Sequence, residues 1–148
     1  MTDLLDVNLL ISLAWPNHVH HDAAHTWFRA RGSELWATTP LTEAGFVRVS
    51  SNSAAIPTAV TPREARSLLS QMQTDERHVF LPDDVELIVG SERALAGRIV
   101  GYRQVTDVHL LALALRHGAR LATLDRAITA LAGDAANAVM QVPLPHNA

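Results

Sequence analysis

Hydrophobic and polar residues follow one another in blocks whose spacing switches between the periods of strands and helices. Short apolar runs bounded by turn residues predict strands, and apolar positions spaced i, i+3, i+4 and i+7 predict amphipathic helices. The clearest helix covers residues 106–117, and Gly118 supplies its stop. Its apolar stripe is formed by Val108, Leu111, Ala112 and Leu115.

The whole pattern predicts strands that alternate with helices. The predicted strands are residues 2–6, 34–38, a short strand within 78–84, 120–123 and 138–142. The predicted helices are residues 7–15, 20–31, 40–49, 62–74, 85–101, 106–117 and 126–131. Thr61, Pro62 and Glu64 have the spacing of a capping box with proline at the first helical position. This alternation predicts an α/β fold with a mostly parallel sheet covered on both faces.

Composition narrows the class of protein. With 148 residues, 48% of them hydrophobic, the chain is expected to form one globular domain over residues 1–148. It has no cysteine, which excludes disulfides and cysteine-based zinc sites. The formal charge of −3 provides no overall attraction to nucleic acid. Neither a signal peptide nor a membrane span is predicted, which favours a cytoplasmic protein.

Acidic residues occur where the predicted strands end and the following helices begin. Asp6 ends the first strand, Asp125 follows the strand at 120–123, and Asp107 opens the helix that leads into it. Glu43 lies in the first turns of the helix after the second strand. Because the carboxyl ends of parallel strands share one edge of the sheet, the four acids are predicted to converge there.

Each acid also has a purely structural interpretation. Asp107 suits the positive end of a helix dipole, and Asp125 suits an N-cap. Glu43 lies one position too late for a capping box that begins at Thr39. Asp6 sits in the apolar run LLDVNLLI, where no structural partner is evident from the sequence. Four mutually repelling carboxylates favour a hard cation, Mg²⁺ or Mn²⁺, and such sites suit phosphodiester hydrolysis.

These residues identify a resemblance to a family. The chain resembles PIN-domain ribonucleases, specifically the VapC toxins of bacterial type II toxin–antitoxin systems, and especially mycobacterial and actinobacterial members. Three segments carry it across nearly the whole chain: LLDVNLLISLAWPNHVHH, WATTPLTEAGFVRVSSN and VTDVHLLALALRHGARLATLD. The resemblance implies that the acidic metal pocket consists of Asp6, Glu43, Asp107 and Asp125.

The resemblance also implies supporting residues around that pocket. Asn8 would help to orient the first carboxylate or a water molecule, and Thr106 and Thr123 match hydroxyl positions that support the pocket. The residue after the first aspartate is usually Thr or Ser in the family and is Val7 here. One polar contact is therefore expected to be missing, which should not abolish activity.

Fold, activity and partners are implied as well. The expectation is a three-layer α/β/α sandwich that forms a homodimer and is inhibited by a cognate VapB-like antitoxin. The implied activity is Mg²⁺-dependent endonucleolytic cleavage of structured RNA, such as tRNA or rRNA, by water, leaving 5′-phosphate and 3′-hydroxyl ends. The early helices are expected to present a spare apolar surface to partners, around Leu10, Leu13, Trp15 and Trp27.

Two further groups of residues have competing interpretations. Arg48, Arg103 and Arg126 follow the acidic motifs closely enough to contact RNA phosphates, or are simply solvated arginines. A histidine cluster precedes and opens the second helix and favours a solvated helix start over a zinc site. It comprises His18, His20, His21 and His25.

Two other classes of protein share features with this sequence. An aspartate that ends the first strand is also typical of aspartyl-phosphate enzymes, such as haloacid-dehalogenase-like phosphatases and receiver domains. Those use a second nearby aspartate or a later lysine, whereas this chain has Asn8 and no lysine at all. A catalytically silent PIN module that only binds RNA or a protein partner is the remaining alternative. Such modules usually lose pocket acids, and all four are present here.

Overall fold

Five short strands form one parallel sheet at the centre of the computed structural model, which describes residues 1–87 and 101–145. The strands are β1 (Asp3–Leu5), β2 (Trp36–Thr38), β3 (His78–Phe80), β4 (Arg120–Thr123) and β5 (Val139–Gln141). They lie in the order β3-β2-β1-β4-β5, and every neighbouring pair is parallel. The predicted α/β class with a parallel sheet is confirmed.

Helices alternate with these strands along the described ranges. They are α1 (Val7–Ala14), α2 (His21–Ala30), α3 (Pro40–Ser50), α4 (Pro62–Met72), α5 (Val105–Arg116) and α6 (Arg126–Ala132). Short 3₁₀ segments cover Tyr102–Gln104 and Gly133–Ala138. The helix predicted at 85–101 falls mainly on residues 88–100, which lie outside the described residues. None of the helices in the described ranges has the length and apolar character that a bilayer crossing requires.

The helix ends follow the local chemistry of the sequence. At the start of α4, the Thr61 hydroxyl accepts the Glu64 N–H and the Glu64 carboxylate accepts the Thr61 N–H, both at 3.2 Å. This is the predicted capping box. Gly32 and Gly118 follow α2 and α5 with φ of +61° and +64°, a conformation that glycine adopts without a Cβ clash.

The observed strands are shorter than predicted because their ends are engaged elsewhere. The strand predicted at 34–38 begins only at Trp36, since the Glu34 carbonyl accepts a hydrogen bond from the Arg31 guanidinium. The strand predicted at 2–6 ends at Leu5, because Asp6 is the N-cap of α1. The predicted strand at 120–123 has the predicted bounds.

Helices cover both faces of the sheet, and successive strand residues point to opposite layers. The cluster that includes the apolar residues of α5 and α6 receives Leu4, Ala37 and Leu121. The cluster that includes those of α1, α2, α3 and α4 receives Leu5, Trp36 and Ala122. The three-layer α/β/α sandwich is therefore confirmed.

The apolar residues of α1 and α2 are mostly buried in the core of this chain. Leu10, Leu13 and Trp27 are buried, with at most 9% of each exposed. Trp15 is half-buried, and its indole N–H donates to the Ser50 hydroxyl at 3.1 Å. The expectation of spare apolar surface is wrong for Leu10, Leu13 and Trp27, because α1 and α2 pack against the sheet and against each other. Trp15 keeps part of its surface in a cleft that it lines with Ile11, Val19 and Ile56.

The direction of chain progression reverses between β1 and β4. From β1 the chain continues outward to β2 and β3, whereas β4 lies on the other side of β1 and is followed by β5. Ligands of open parallel sheets bind at such a reversal, outside the carboxyl ends of the two strands. Asp6 directly follows β1, and Asp125 follows β4 by two residues.

Candidate active site

Asp6 is a buried carboxylate at the reversal point, with 7% of the residue exposed. It is the N-cap residue of α1, but its side chain makes no capping hydrogen bond. Its Oδ2 instead accepts the Thr123 hydroxyl from β4 at 2.8 Å. The expectation that Asp6 lacks a structural partner is therefore wrong. That partner is an uncharged hydroxyl, so the negative charge is not neutralised.

Thr123 joins two of the acidic segments. While its hydroxyl donates to Asp6, its oxygen accepts the backbone N–H of Asp125 at 3.0 Å. Asp125 is exposed and is the N-cap of α6, since its Oδ1 accepts the Ala127 N–H at 2.9 Å. The structural interpretation of Asp125 as an N-cap is thus correct for one oxygen, and the second oxygen remains available to a ligand.

Asp107 occupies the first turn of α5 and is half-buried. Burial raises its pKa to about 6, and the Asp6 and Asp125 carboxylates contribute to the rise. Burial also raises the pKa of Asp6, with a further contribution from Asp125 and opposition from the Thr123 and Val7 hydrogen bonds. An acid that merely complements a helix dipole has its ionised form stabilised. The three aspartates instead form a mutually repelling group.

Glu43 lies in the first turns of α3, held by a separate network of hydrogen bonds. Its Oε2 accepts the Thr38 hydroxyl at 2.7 Å and the Gln73 amide at 2.8 Å. Thr38 also lies 2.8 Å from Nε2 of His78, which must donate because the Thr38 proton is directed at Glu43. Burial lowers the pKa of His78, opposed by the carboxylates of Glu43 and Asp75.

The position of Glu43 relative to the aspartates is set by the packing of α3 against α1, and not by a hydrogen bond between them. Leu4 of β1 pairs with Ala37 of β2, so the chain positions just beyond both strands are neighbours. A Cβ added at Gly45 would lie 2.6 Å from Cγ2 of Val7, which shows how closely α3 and α1 approach. No hydrogen bond within the described residues joins Glu43 to the three aspartates.

Thr38, Gln73 and His78 were not singled out from the sequence. Thr38 offered one signal, a hydroxyl at the carboxyl end of a buried strand next to the acid-bearing helix. Gln73 and His78 offered none, because their proximity to Glu43 depends on the packing of α4 and β3. A further polar atom nearby, Thr39 Oγ1, is buried and has no hydrogen-bond partner among the described residues.

The predicted supporting and RNA-binding residues are less tightly placed. Asn8 and Thr106 are exposed, and their side chains make no hydrogen bond to any residue in the described ranges. Arg48 is exposed and lines the same cleft as Glu43. Arg126 is exposed at the first position of α6, and the side chain of Arg103 lies outside what the structure describes.

The histidine cluster closes the end of α1. His21 Nδ1 and His25 Nε2 lie 2.8 Å from the carbonyl oxygens of Ser12 and Leu13, to which they donate. His18 Nδ1 accepts the N–H of His20 at 3.0 Å, and burial lowers the pKa of His18. The last carbonyls of a helix lack intrahelical partners. The expectation of a solvated helix start is therefore wrong for His21 and His25, which satisfy such carbonyls.

The acidic group has the donor atoms that a metal ion requires, but its side chains are not gathered around a common point. Buried oxygen donors with raised pKa values suit a hard divalent cation. Across residues 1–87 and 101–145, however, no three His, Asp or Glu side chains are already gathered for metal binding. Metal binding would therefore require side chains to rotate. Asp125 is exposed, and its Oδ2 takes no part in the N-cap and can reach a ligand.

Comparison with known proteins adds independent information. The PIN domain family model matches residues 4–134. Ribonuclease VapC39 of Mycobacterium tuberculosis is 53% identical over 131 residues, which cover 86% of this chain and 91% of that protein. Ribonuclease VapC38 of the same species is 50% identical, covering 87% and 89%. Ribonuclease VapC29, also from this species, is 43% identical, covering 92% and 95%.

A solved structure supports the fold. It is VapBC2 from Rickettsia felis, bound to a DNA fragment from its promoter, with a TM-score of 0.61 and 14% identity. The match covers 95% of this chain and 97% of that one. At this low identity the likeness concerns architecture alone. The family model and the identities to the mycobacterial relatives show that this chain belongs to the PIN-domain family and, within it, to the VapC group.

Proposed function

We propose that this chain is the toxin of a type II toxin–antitoxin system and a metal-dependent endoribonuclease. The observation that carries the proposal is the group of three electrostatically coupled aspartates at the sheet reversal, two with raised pKa values. The relatives named ribonucleases support the same activity. We further propose a single cytoplasmic domain, residues 1–148, with structured RNA such as tRNA or rRNA as substrate.

The proposed metal site uses Asp6, Glu43, Asp107 and Asp125. Oxygen-only donors and the absence of cysteine favour Mg²⁺, with Mn²⁺ as a substitute. When bound, such an ion stabilises charge that develops on the phosphate oxygens and lowers the pKa of water. Its positive charge would also neutralise the repulsion that burial and crowding impose on the aspartates.

The chain's own side chains have positioning roles in this proposal. The Thr123 hydroxyl fixes one oxygen of Asp6, and Thr38 and Gln73 fix one oxygen of Glu43. In each carboxylate the second oxygen is left for the ligand. Asn8 and Thr106 are exposed at the starts of α1 and α5, where we propose that they orient water or RNA.

Substrate binding requires cations around this acidic group, because phosphate contacts supply most of the affinity for RNA. Arg48 shares a cleft with Glu43, and Arg126 directly follows Asp125. We propose that both contact RNA phosphates, together with Arg103 from the segment before α5.

We also propose a VapB-like antitoxin and a second copy of the chain as partners. The likeness to a VapBC2 structure supports the first. Since the early helices bury most of their apolar residues, the candidate contact surfaces are the remaining exposed apolar side chains, one of which, Val19, lies between α1 and α2. Large exposed apolar side chains in the described ranges include Val19, Phe80, Val105 and Leu115. Light scattering at micromolar concentration tests the dimer, and a monomer alone would contradict it.

A catalytically silent module that binds RNA or a partner is the alternative function. The observation that favours it is the lack of a gathered set of three metal ligands within the described ranges. Both functions predict RNA binding, and only the ribonuclease predicts metal-dependent cleavage.

Cleavage of total RNA by the purified chain separates the two functions. Wild type with Mg²⁺ or Mn²⁺ is expected to yield new 5′-phosphate ends at defined sites, which sequencing of 5′ ends will locate. Excess EDTA and the Asp6→Asn variant should each abolish these ends, whereas Asp134→Asn, an exposed acid outside the group, should not. Equal cleavage in EDTA would contradict the metal-dependent mechanism, and no cleavage under any condition would favour the silent module.

A further inference from the structure

A cleft of about 710 Å³ runs between α3 and α4 and begins at the candidate active site. Glu43 and Gln73 line it, together with residues that include Val47, Arg48, Arg66 and Leu69. Its volume is within the range of roughly 300–1,000 Å³ that is typical of small-molecule sites. The cleft is therefore large enough for one nucleotide next to the acids.

The net charge of the residues that line this cleft is positive. Arg48 and Arg66 are exposed, and neither forms an ion pair with any residue in the described ranges. Glu43 is the acid in the lining, and the uncharged Thr38 hydroxyl and Gln73 amide that donate to its Oε2 do not neutralise it, so the two arginines exceed the acids of the lining by one charge. The cleft thus presents two guanidinium groups, which suit phosphate oxygens in number and geometry.

The remaining lining is mostly apolar, with Ser51 and Ser70 as its polar members. Val47 and Leu69 come from the two facing helices, and Pro40 and Pro62 are the first residues of those helices. A surface of this kind contacts the face of an unpaired base without reading its hydrogen-bonding edge. Sequence-tolerant binding of single-stranded nucleic acid combines stacking of bases, usually on aromatic rings, with a cationic groove for the backbone. In this cleft the apolar surface is aliphatic.

We propose that the α3–α4 cleft holds one unpaired nucleotide of the RNA substrate, next to the phosphate that is cleaved. Arg48 and Arg66 contact its backbone phosphates, and its base lies against Val47 and Leu69. This subsite rests on the proposed ribonuclease function, since Glu43 belongs to both the cleft and the proposed metal pocket. RNA is favoured over a protein segment because the two arginines form no ion pair within the described ranges and adjoin the proposed site for phosphodiester chemistry.

Binding to a cleavage-deficient protein tests the charged part of the subsite. The full-length Asp6→Asn protein is titrated against a fluorescein-labelled oligouridylate of about 12 nucleotides, with anisotropy as the readout. Arg66→Ala in this background should weaken binding about tenfold. It should also reduce the salt slope by about 0.7, the value for one phosphate contact to a single strand. Arg63→Ala is the matched control, three residues earlier on α4 and outside the cleft lining.

The apolar part has its own pair of variants. Ala44→Trp fills the cleft from α3, whereas Ala30→Trp places the same bulk on an exposed position of α2. Ala44→Trp should weaken oligonucleotide binding at least fivefold and slow RNA cleavage in the wild-type background, and Ala30→Trp should do neither. Circular dichroism and the melting temperature verify that each variant is folded.

The outcomes distinguish the subsite from the function on which it rests. If wild type cleaves RNA while Arg66→Ala and Ala44→Trp bind and cleave as their controls do, the subsite is wrong and the ribonuclease stands. If these variants instead lose only their inhibition by the co-expressed antitoxin, the cleft holds a protein segment, and the subsite is again wrong. If wild type neither binds nor cleaves RNA, the proposed function fails and the subsite with it.

Discussion

Asp3 is the first residue of β1, and Asp6 directly follows the strand. Both are buried, but the charge of Asp3 is paired with arginines and the charge of Asp6 is not. Asp3 has no exposed surface and accepts Arg31 Nε at 3.0 Å and Arg120 Nε at 2.8 Å. The Arg31 guanidinium is held in turn, 5.0 Å from the centroid of the Trp27 ring. At this end of the strand the buried acid is fully paired by the chain itself.

Asp6 receives only uncharged donors among the described residues, including the Thr123 hydroxyl and the Val7 backbone, and its charged neighbours include the like charge of Asp125. A buried charge is tolerated when it is paired and is costly when it is not. Asp3 therefore belongs to the scaffold. Asp6 belongs to a group that forms no ion pair within the described ranges, which is the physical basis for proposing a cation site at the carboxyl edge.

The largest expected effect tests the scaffold end of the comparison. Asp3→Asn removes the counter-charge of Arg31 and Arg120 and should lower the free energy of unfolding by about 3–5 kcal/mol, because a buried cation is left unpaired. Urea denaturation at pH 7 measures it. Asp22→Asn, an exposed aspartate on α2, is the control and should change stability by less than about 0.5 kcal/mol. A loss below about 1 kcal/mol for Asp3→Asn would break the comparison.

The second prediction applies the same substitution three residues later. Asp6→Asn should change the unfolding free energy of the metal-free protein by less than about 1 kcal/mol, since it removes repulsion and leaves an amide oxygen that can still accept the Thr123 hydroxyl. Cleavage of RNA should fall by at least about a hundredfold, equivalent to about 2.7 kcal/mol. Denaturation and initial cleavage rates measure the two effects. Destabilisation as large as that of Asp3→Asn would show that Asp6 is a scaffold residue.

The third prediction concerns pH. Because the folded-state pKa of Asp107 is raised from 3.8 to about 6, its contribution to stability is complete below about pH 4 and is lost as the pH rises through about 6. The metal-free Asp107→Asn protein should therefore be more stable than wild type at pH 7.5, by roughly 1 kcal/mol after discounting for solvent screening. At pH 4 the two proteins should be equally stable.

Added Mg²⁺ or Mn²⁺ should reverse the order of those two proteins. The ion stabilises the folded state and must displace protons from the acids, so its effect on the melting temperature should grow from pH 5 to pH 7.5. Asp107→Asn should lose most of that increment. If the variant keeps the full metal-induced shift, the cation binds elsewhere.

A smaller effect is expected at the one hydroxyl that supports Asp6. Thr123→Val keeps the shape of the side chain but removes its bonds to Asp6 and to the Asp125 N–H. Stability should fall by about 1–2 kcal/mol, and cleavage by about tenfold. Thr129→Val, which loses only a 3.3 Å bond to Gln141, is the control. Unchanged cleavage in Thr123→Val would show that this bond does not position the carboxylate.

The smallest effect is expected at the residue after Asp6. Val7→Thr restores the hydroxyl that is usual in the family and keeps the branched shape that contacts Gly45. The cleavage rate should change by less than about threefold, or about 0.7 kcal/mol. A gain above tenfold would show that the missing hydroxyl limits the site.

The sequence predicted the fold well where local signals decide the structure. The start of α4 is specified by Thr61, Pro62 and Glu64, and the end of α5 is specified by Gly118. Both are local signals, because caps and positive φ values depend on neighbours in the chain. The alternation of strands and helices was enough to predict the parallel sheet. The strand ends were less accurate, since the Glu34 carbonyl is bound by Arg31 rather than by a neighbouring strand.

The sequence predicted the acids of the candidate site but not their surroundings. Asp3 and Asp6 look alike in the run DLLD, because the arginines that distinguish them are 28 and 117 residues from Asp3. The network that holds Glu43 likewise depends on Gln73, 30 residues away. Pairings at such distances are decided by packing, and no spacing rule within one element reveals them.

The bond between Asp6 and Thr123 has a consequence for the time at which the chain becomes active. The two residues are 117 positions apart. A ribosome that adds about 5–20 residues per second needs on the order of ten seconds to progress from one to the other. During that interval β1 lacks β4, its neighbour on the acidic side of the sheet, and Asp6 lacks its hydroxyl donor. The candidate site is therefore incomplete throughout most of the chain's own synthesis.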